Sequence, residues 1–259
     1  SQWQTELNRP LLDKSSTMPK AATLSPLPLT DQTQAALDWL KHNGSKKIRD
    51  EMGPKYGVHV EKAFGVSMAN MKTLAKSLGK NHQLAAALWK TGWYEARMIA
   101  SMVDEPSAVT SMQMDAWCKD FDNWGICDTV CFNLFDRTPH AWKKVVQWSK
   151  KPGEFQKRTA FALLWSLTVH DKLAEDVKFI DGLALIETAA GDERHFVKKA
   201  VNMALRAVGK RNIALNKAAT ASARRLAEFV DATPRWIGKD ALRELTSPVL
   251  IKRLSSKKK

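Results

Sequence analysis

Trp124 and Asp128 bring an indole and a carboxylate within four residues of each other. If Asp122 or Asn123 caps a helix here, the two side chains share one helix face. Such a pair suits a cationic ligand, because the ring face attracts the cation and the carboxylate neutralises it. The same spacing also describes a core tryptophan beside a solvated aspartate, and the spacing alone leaves both interpretations open.

Arg158 is the second candidate, since it lies near the start of an apolar segment. A helix beginning there would hold Arg158 in its first turn, where the helix dipole disfavours a cation by about 0.5 kcal/mol. A phosphate or a carboxylate partner would offset this cost. The sequence therefore predicts an anion beside Arg158, from a ligand or from a structural ion pair.

Residues 196–212 form a third candidate, a basic helix that is expected to end at Gly209. Asn212 can cap the next helix, whose amide end would attract an anion. A solvated basic face explains the same pattern. The candidate DNA contacts of this stretch lie along one side of the helix or just beyond its end: Lys199, Met203, Arg206, Lys210 and Arg211.

The charge of the chain is uneven. The 259 residues carry a formal charge of +14, and residues 141–259 hold 25 Lys or Arg against 12 Asp or Glu. The excess in the C-terminal half favours a polyanionic partner, most often nucleic acid. A basic tail for solubility is the alternative, but Lys257–Lys259 supply only three of these charges.

Several protein classes find no support in the sequence. No apolar run is long enough to span a membrane, no signal pattern opens the chain, and no glycine-rich nucleotide motif is present. Three cysteines indicate a reducing compartment, and Cys127 and Cys131 are expected to be core residues. We expect a cytoplasmic protein, nucleoid-associated or nuclear in a eukaryote, without metal, cofactor or membrane partner.

The elements that must position these residues are helical. Residues 1–30 contain four prolines and are expected to form an irregular or disordered extension, residues 31–254 one helical domain, and 255–259 a basic tail. A capping hydroxyl followed by proline predicts three helix starts, at Thr138-Pro139, Thr233-Pro234 and Ser247-Pro248. Short antiparallel pairs favour an α-solenoid, although a globular helical bundle fits the same periodicity.

These segments resemble the AlkD-like DNA alkylation-repair glycosylases, built of HEAT-like repeats. The resemblance spans roughly residues 45–250 and follows the order of several short stretches: Tyr56-Gly57-Val58, Lys62 to Ser67, Leu88-Trp89, Glu95-Ala96-Arg97, Trp124 to Asp128, Lys157 to Phe161, and 196–212. It implies a curved solenoid of antiparallel helix pairs that holds duplex DNA in a basic concave face.

The resemblance also implies an activity, hydrolysis of the N-glycosidic bond of cationic purines alkylated at N3 or N7, without base flipping. It implies that Asp128 is catalytic, that Trp124 lines the same cleft, and that Arg158 and Arg206 contact DNA. The sequence departs from the family at Met203, where an aromatic residue is usual. We expect a monomeric, monofunctional glycosylase, weakened by Met203.

Two other classes remain in view. A non-catalytic HEAT-like protein that recognises damaged or branched DNA is favoured by Met203, whereas the retention of Trp124 and Asp128 favours the enzyme. A protein-interaction scaffold of the same fold needs no basic groove, so the charge of the C-terminal half argues against it.

Overall fold

The computed structural model describes residues 17–256, in which every regular element is helical. The all-α prediction is confirmed for these residues. The helices are α1 Ala21–Leu24, α2 Leu29–His42, α3 Lys46–Tyr56, α4 Met68–Leu78, α5 His82–Lys90, α6 Tyr94–Val103, α7 Ser111–Lys119, α8 Trp124–Asn133, α9 Ala141–Ser149, α10 Glu154–His170, α11 Asp176–Ala189, α12 His195–Gly209, α13 Ile213–Ala227, α14 Ala232–Leu245 and α15 Pro248–Ser256, with a 3-10 helix at Phe135–Arg137.

One of the three predicted helix starts is confirmed. Pro248 is the first residue of α15, and the Ser247 hydroxyl accepts from the backbone N–H of Leu250. Thr138-Pro139 instead lies in the turn before α9, where the Thr138 hydroxyl donates to the Phe135 carbonyl. Proline is tolerated at the first position of α15 and in the turn before α9, because neither position requires a backbone N–H donor.

The start predicted at Thr233-Pro234 is also wrong by two residues. Helix α14 begins at Ala232, so Pro234 is the third residue of the helix rather than the first. The N–H groups of the first helical turn have no intrahelical partner, so proline costs little anywhere within that turn.

The chain divides into two compact units, the first ending at Glu105 and the second beginning at Pro106. In the first unit, α5 packs on α2 and α6, and α6 packs on α4. A buried carboxylate fixes the loop before α4, because Glu95 accepts hydrogen bonds from the backbone N–H groups of Phe64, Gly65 and Val66 at 2.8–3.2 Å.

The second unit contains α7–α15 in a regular order. Helices α8, α10, α12 and α14 contact one another in succession and form what we call the front row. Helices α9, α11, α13 and α15 form the back row in the same way, and each of α9, α11 and α13 also packs on the next helix in the chain. This alternation is typical of stacked helix pairs.

Gly209 ends α12 as predicted, but its role is packing. A Cβ at this position would stand 2.4 Å from a methyl carbon of Leu245, so the absence of a side chain lets α12 approach α14 closely. The backbone of Gly209 does not adopt a positive φ angle. The reason for glycine here is therefore tertiary contact between front-row helices.

The predicted extension is only partly described. Residues 1–16 and the last three residues of the predicted tail lie outside the described range. Residues 21–24 form α1, Leu24 is buried, and the Ser77 hydroxyl donates to the Pro19 carbonyl. None of the helices between residues 17 and 256 is both long and apolar enough to cross a membrane.

Candidate nucleic-acid interface

Helix α8 begins as its sequence predicts. The Asn123 side-chain oxygen accepts from the backbone N–H of Ile126 at 3.0 Å, which makes Asn123 the cap rather than Asp122. Trp124 therefore opens the helix, and Asp128 lies one turn later on the same face. Both side chains are partly exposed, so neither is enclosed in the core.

Asp128 of α8 and Arg158 of α10 form a bidentate ion pair between two neighbouring helices of the front row. Arg158 Nε donates to Asp128 Oδ1 at 3.1 Å, and Nη2 donates to Oδ2 at 2.7 Å. The side chain of Arg158 is 4% exposed and that of Asp128 is 15% exposed. The anion predicted beside Arg158 is thus the carboxylate of Asp128, the predicted catalytic residue.

Arg158 also ties this pair to the third front-row helix. Its Nη1 donates to the Phe196 carbonyl at 2.9 Å, in the first turn of α12. The rings of Phe155 and Phe196 pack beside this bond, with their centroids 5.2 Å apart. One guanidinium therefore fixes the relative positions of α8, α10 and α12 at their N-terminal ends.

Burial and pairing act on Asp128 in opposite directions. Removal from water raises the pKa of its carboxyl, because the charged form loses hydration, while the Arg158 guanidinium lowers it. The net effect is a pKa above the ordinary value of an aspartate. Without Arg158 the same burial would drive the carboxyl further toward its neutral form.

The cysteines on the other side of α8 are core residues, as predicted. Cys127 and Cys131 are fully buried, and their thiols lie 3.9 Å and 3.8 Å from the carbonyl oxygens of Phe155 and Thr159. Burial raises the pKa of both thiols well above the ordinary value. They are therefore packing groups rather than nucleophiles.

The cations of α12 face α14, where they meet partners that the sequence reasoning missed. Lys199 Nζ lies 5.0 Å from the centre of the Trp236 ring. Arg206 Nη1 and Lys210 Nζ donate to the two carboxylate oxygens of Glu244, at 3.1 Å and 2.9 Å. Two of the three cations are thus already neutralised in part.

A periodic signal could have found these partners. Trp236, Asp240 and Glu244 are spaced by four residues and therefore share one face of α14. That face meets α12, because Asn202 also donates to Asp240 at 2.6 Å. Side chains of α12 therefore pair with carboxylates of α14, just as Arg158 of α10 pairs with Asp128 of α8.

Arg211 has a structural position that differs from the predicted phosphate contact. Its guanidinium donates to the carbonyls of Thr168 and Ala174, both at 3.1 Å, and lies 4.3 Å from the centre of the Phe179 ring. Asn212 caps α13 as predicted, through the backbone N–H of Leu215. DNA contact by Arg211 remains a prediction that this geometry does not favour.

Met203 lies between Lys199 and Arg206 on α12 and is partly exposed. An aromatic surface occurs elsewhere on the front row, where Trp165 of α10 packs edge-on against Phe132 of α8 with ring centroids 4.6 Å apart. Met203 is therefore accessible, and the aromatic pair of Phe132 and Trp165 lies on front-row helices α8 and α10.

The sequence matches the family described as DNA alkylation repair enzyme over residues 36–245, and the chain belongs to that family. The structure is similar to a solved structure described as "A new family of proteins related to the HEAT-like repeat DNA glycosylases with affinity for branched DNA structures". No curated protein matches this sequence.

The structural likeness concerns the fold. The TM-score is 0.71 at 20% sequence identity, over 86% of this chain and 95% of the other. The predicted family and the HEAT-like architecture are confirmed. The predicted curvature and basic concave face, and the roles predicted for the individual site residues, stay predictions.

Proposed function

We propose that the protein is a monofunctional DNA glycosylase that releases purines alkylated at N3 or N7 from duplex DNA, with Asp128 as the catalytic carboxylate. The observation that carries this proposal is the Asp128–Arg158 pair beside Trp124, in a chain of the DNA alkylation repair family. A buried carboxylate with one open side suits a reaction in which positive charge develops on a sugar.

Hydrolysis of this N-glycosidic bond requires few catalytic groups from the protein. An N3- or N7-alkylated purine already carries positive charge, so it leaves without a general acid. The sugar becomes oxocarbenium-like as the bond breaks. A carboxylate about 4 Å away, at an effective dielectric near 20, stabilises that cation by up to ~4 kcal/mol. That corresponds to roughly a thousandfold in rate.

Arg158 has two opposing effects on this step. Its positive charge offsets part of the field of Asp128, which lowers the stabilisation of the sugar cation. It also keeps the buried carboxyl ionised and oriented. Trp124, one turn away, would add a cation–π attraction of about 0.5–2 kcal/mol for the cationic base.

A second function is favoured by two observations. Met203 stands where the resemblance to the AlkD-like glycosylases leads us to expect an aromatic residue, and Asp128 is paired with Arg158. Both fit a non-catalytic protein that binds damaged or branched DNA, and the similar solved structure is described as having affinity for branched DNA structures.

One experiment separates the two functions. The protein is incubated with methylated duplex DNA, and the released N3- and N7-methylpurines are quantified by mass spectrometry, while binding to a four-way junction is measured in parallel. Enzyme-dependent release supports the glycosylase. Junction binding without release above the protein-free control contradicts the glycosylase and supports the binding protein.

A further inference from the structure

A cavity of about 320 Å³ lies between the last three helices of the chain, away from Asp128 and Arg158. Its walls come from α13, the end of α14 and α15, and none of its lining residues belongs to α8, α10 or α12. No acidic side chain of the described chain lines it.

Three donors of α13 point along one side of this cavity. Lys217, Thr220 and Arg224 are spaced by three and four residues, so they lie on one helix face, and all three line the cavity. Lys217 and Arg224 are exposed and make no ion pair within the described residues, unlike Arg206 and Lys210, which share Glu244.

Thr220 is the most informative of the three. Its side chain is 9% exposed, its hydroxyl makes no hydrogen bond within the described residues, and the hydroxyl oxygen keeps some solvent contact, because it is not one of their fully buried unpartnered polar atoms. Helical threonines commonly donate to the carbonyl four residues earlier, as Thr188 does to Ala184. A hydroxyl that lines a cavity, keeps solvent contact and makes no such bond is available to a ligand.

The floor of the cavity is tied to neighbouring helices by hydrogen bonds. The side-chain amide of Asn216 donates to the carbonyls of Gly209 and Leu245, both at 3.1 Å, which joins the ends of α12 and α14 to α13. Leu245 and Ile251 supply apolar contact at the walls. The donors are therefore held by packed helices rather than by a loop.

We infer that this cavity binds a phosphate group, and specifically a backbone phosphate of DNA. An ammonium, a guanidinium and a hydroxyl around a site without carboxylates match the donors that hold DNA phosphates in protein complexes. The bond from Asn216 to the Gly209 carbonyl places the site next to the C-terminal end of α12, where the candidate contact Lys210 follows in the sequence. The inference rests on the proposed function only in taking DNA as the partner.

The test uses two variants of the full chain and unmodified duplex DNA. Lys217→Gln combined with Arg224→Gln removes both charges, and the slope of log affinity against log salt concentration should become less steep by about 2. Thr220→Val keeps the shape of the side chain and removes the hydroxyl. It should lower duplex affinity about fivefold without lowering the unfolding temperature.

Matched controls decide what these losses mean. Lys143→Gln combined with Lys150→Gln removes two exposed cations of the second unit outside the cavity, and Thr188→Val removes a hydroxyl that is already bonded. Equal losses in the control and cavity variants would overturn the inference. Unchanged affinity in Thr220→Val would overturn it as well.

A further arm distinguishes DNA from a small ligand. Adenosine monophosphate is titrated into the parent and the double variant at Lys217 and Arg224. If the variant loses nucleotide binding and keeps duplex affinity, the site serves a free phosphate and the DNA assignment is wrong. Single-turnover base release by the parent at saturating protein is measured independently of these affinities, so failure of the glycosylase proposal is seen separately.

Discussion

Two hydrogen-bonded carboxylates, one in each unit of the chain, show how different degrees of burial serve different purposes. Glu95 is 1% exposed and accepts three backbone N–H groups from the loop before α4. Asp128 is held by one guanidinium and keeps 15% of its side chain exposed. A carboxylate whose lone pairs are taken by backbone fixes a loop, whereas one held by a single side chain with an open edge can meet a substrate.

The contrast between a structural Glu95 and a functional Asp128 fails if Glu95 is dispensable for folding. Glu95→Gln turns one acceptor oxygen into an NH₂ group, which would face a backbone N–H in the loop of Phe64–Val66. We expect a loss of about 2–3 kcal/mol in the free energy of unfolding, measured by urea denaturation. The exposed Glu61→Gln is the control and should change nothing.

The same variant should leave the chemistry intact. Base release per folded molecule should equal that of the parent, because Glu95 belongs to the first unit and has no bond to α8 or α10 in the described residues. A strong loss of rate in fully folded Glu95→Gln would contradict the division between a structural and a functional carboxylate.

Met203 offers a way to sharpen the account of the front row. Met203→Trp restores an indole beside Lys199 and Arg206, and base release should rise several-fold to about thirtyfold, the span of a cation–π attraction of ~1–2 kcal/mol. The gain should appear for cationic lesions and not in the affinity for undamaged DNA.

Trp165 is the competing source of an aromatic wall. If its pair with Phe132 already serves, Met203→Trp overfills the cleft and slows release, while Trp165→Ala abolishes most of it. Measuring both single variants separates the cases. No change in either one would show that an aromatic wall is unimportant in this protein.

The raised pKa of Asp128 predicts an acid limb in the rate profile. Base release should fall about tenfold for each pH unit below that pKa, at pH values above those at which a free aspartate titrates. Protein-free DNA at each pH corrects for spontaneous loss of bases. A profile that is flat down to the ordinary aspartate range would show that the ionised form of Asp128 is not required.

The same shift acts on stability with a defined sign. Because burial raises the folded-state pKa above the unfolded value, the folded chain binds more protons between the two values. The contribution of Asp128 to stability is therefore present at low pH and is lost as pH rises through that window.

The smallest expected effect is a change in duplex affinity when Glu244 is replaced. Glu244→Gln keeps the side-chain shape and releases Arg206 and Lys210 from their shared carboxylate, so duplex affinity should rise about fivefold and depend more steeply on salt. Glu193→Gln, which removes an exposed charge without an ion pair in the described chain, is the matched control. An equal gain in both variants would mean that only net charge matters.

Local patterns predicted most of the fold. The spacing of apolar residues predicted an all-helical domain, and the caps at Asn123 and Asn212 are those that the sequence indicates. The shared face of Trp124 and Asp128 also followed from spacing. These features depend on interactions within a few residues, which the sequence displays directly.

Residue spacing could not predict contacts between segments that are distant in the sequence. Arg158 needed an anion, but spacing could not choose between a phosphate and Asp128, which is 30 residues away. The sequence predicted Arg211 as a DNA contact, although its N–H groups donate to carbonyls about 40 residues earlier in the chain. The partners of α12 on α14 likewise depend on the register between two helices.

The most direct test of the central claim is the rate of N7-methylguanine release in a single turnover by the parent and by Asp128→Asn. Asparagine keeps the shape and can still accept one of the two hydrogen bonds from Arg158 through its Oδ1, but it removes the negative charge that stabilises the sugar cation. We predict release that is slower by roughly 10²–10³-fold, with duplex affinity nearly unchanged. Equal rates for the two proteins would contradict the assignment of Asp128 as the catalytic carboxylate.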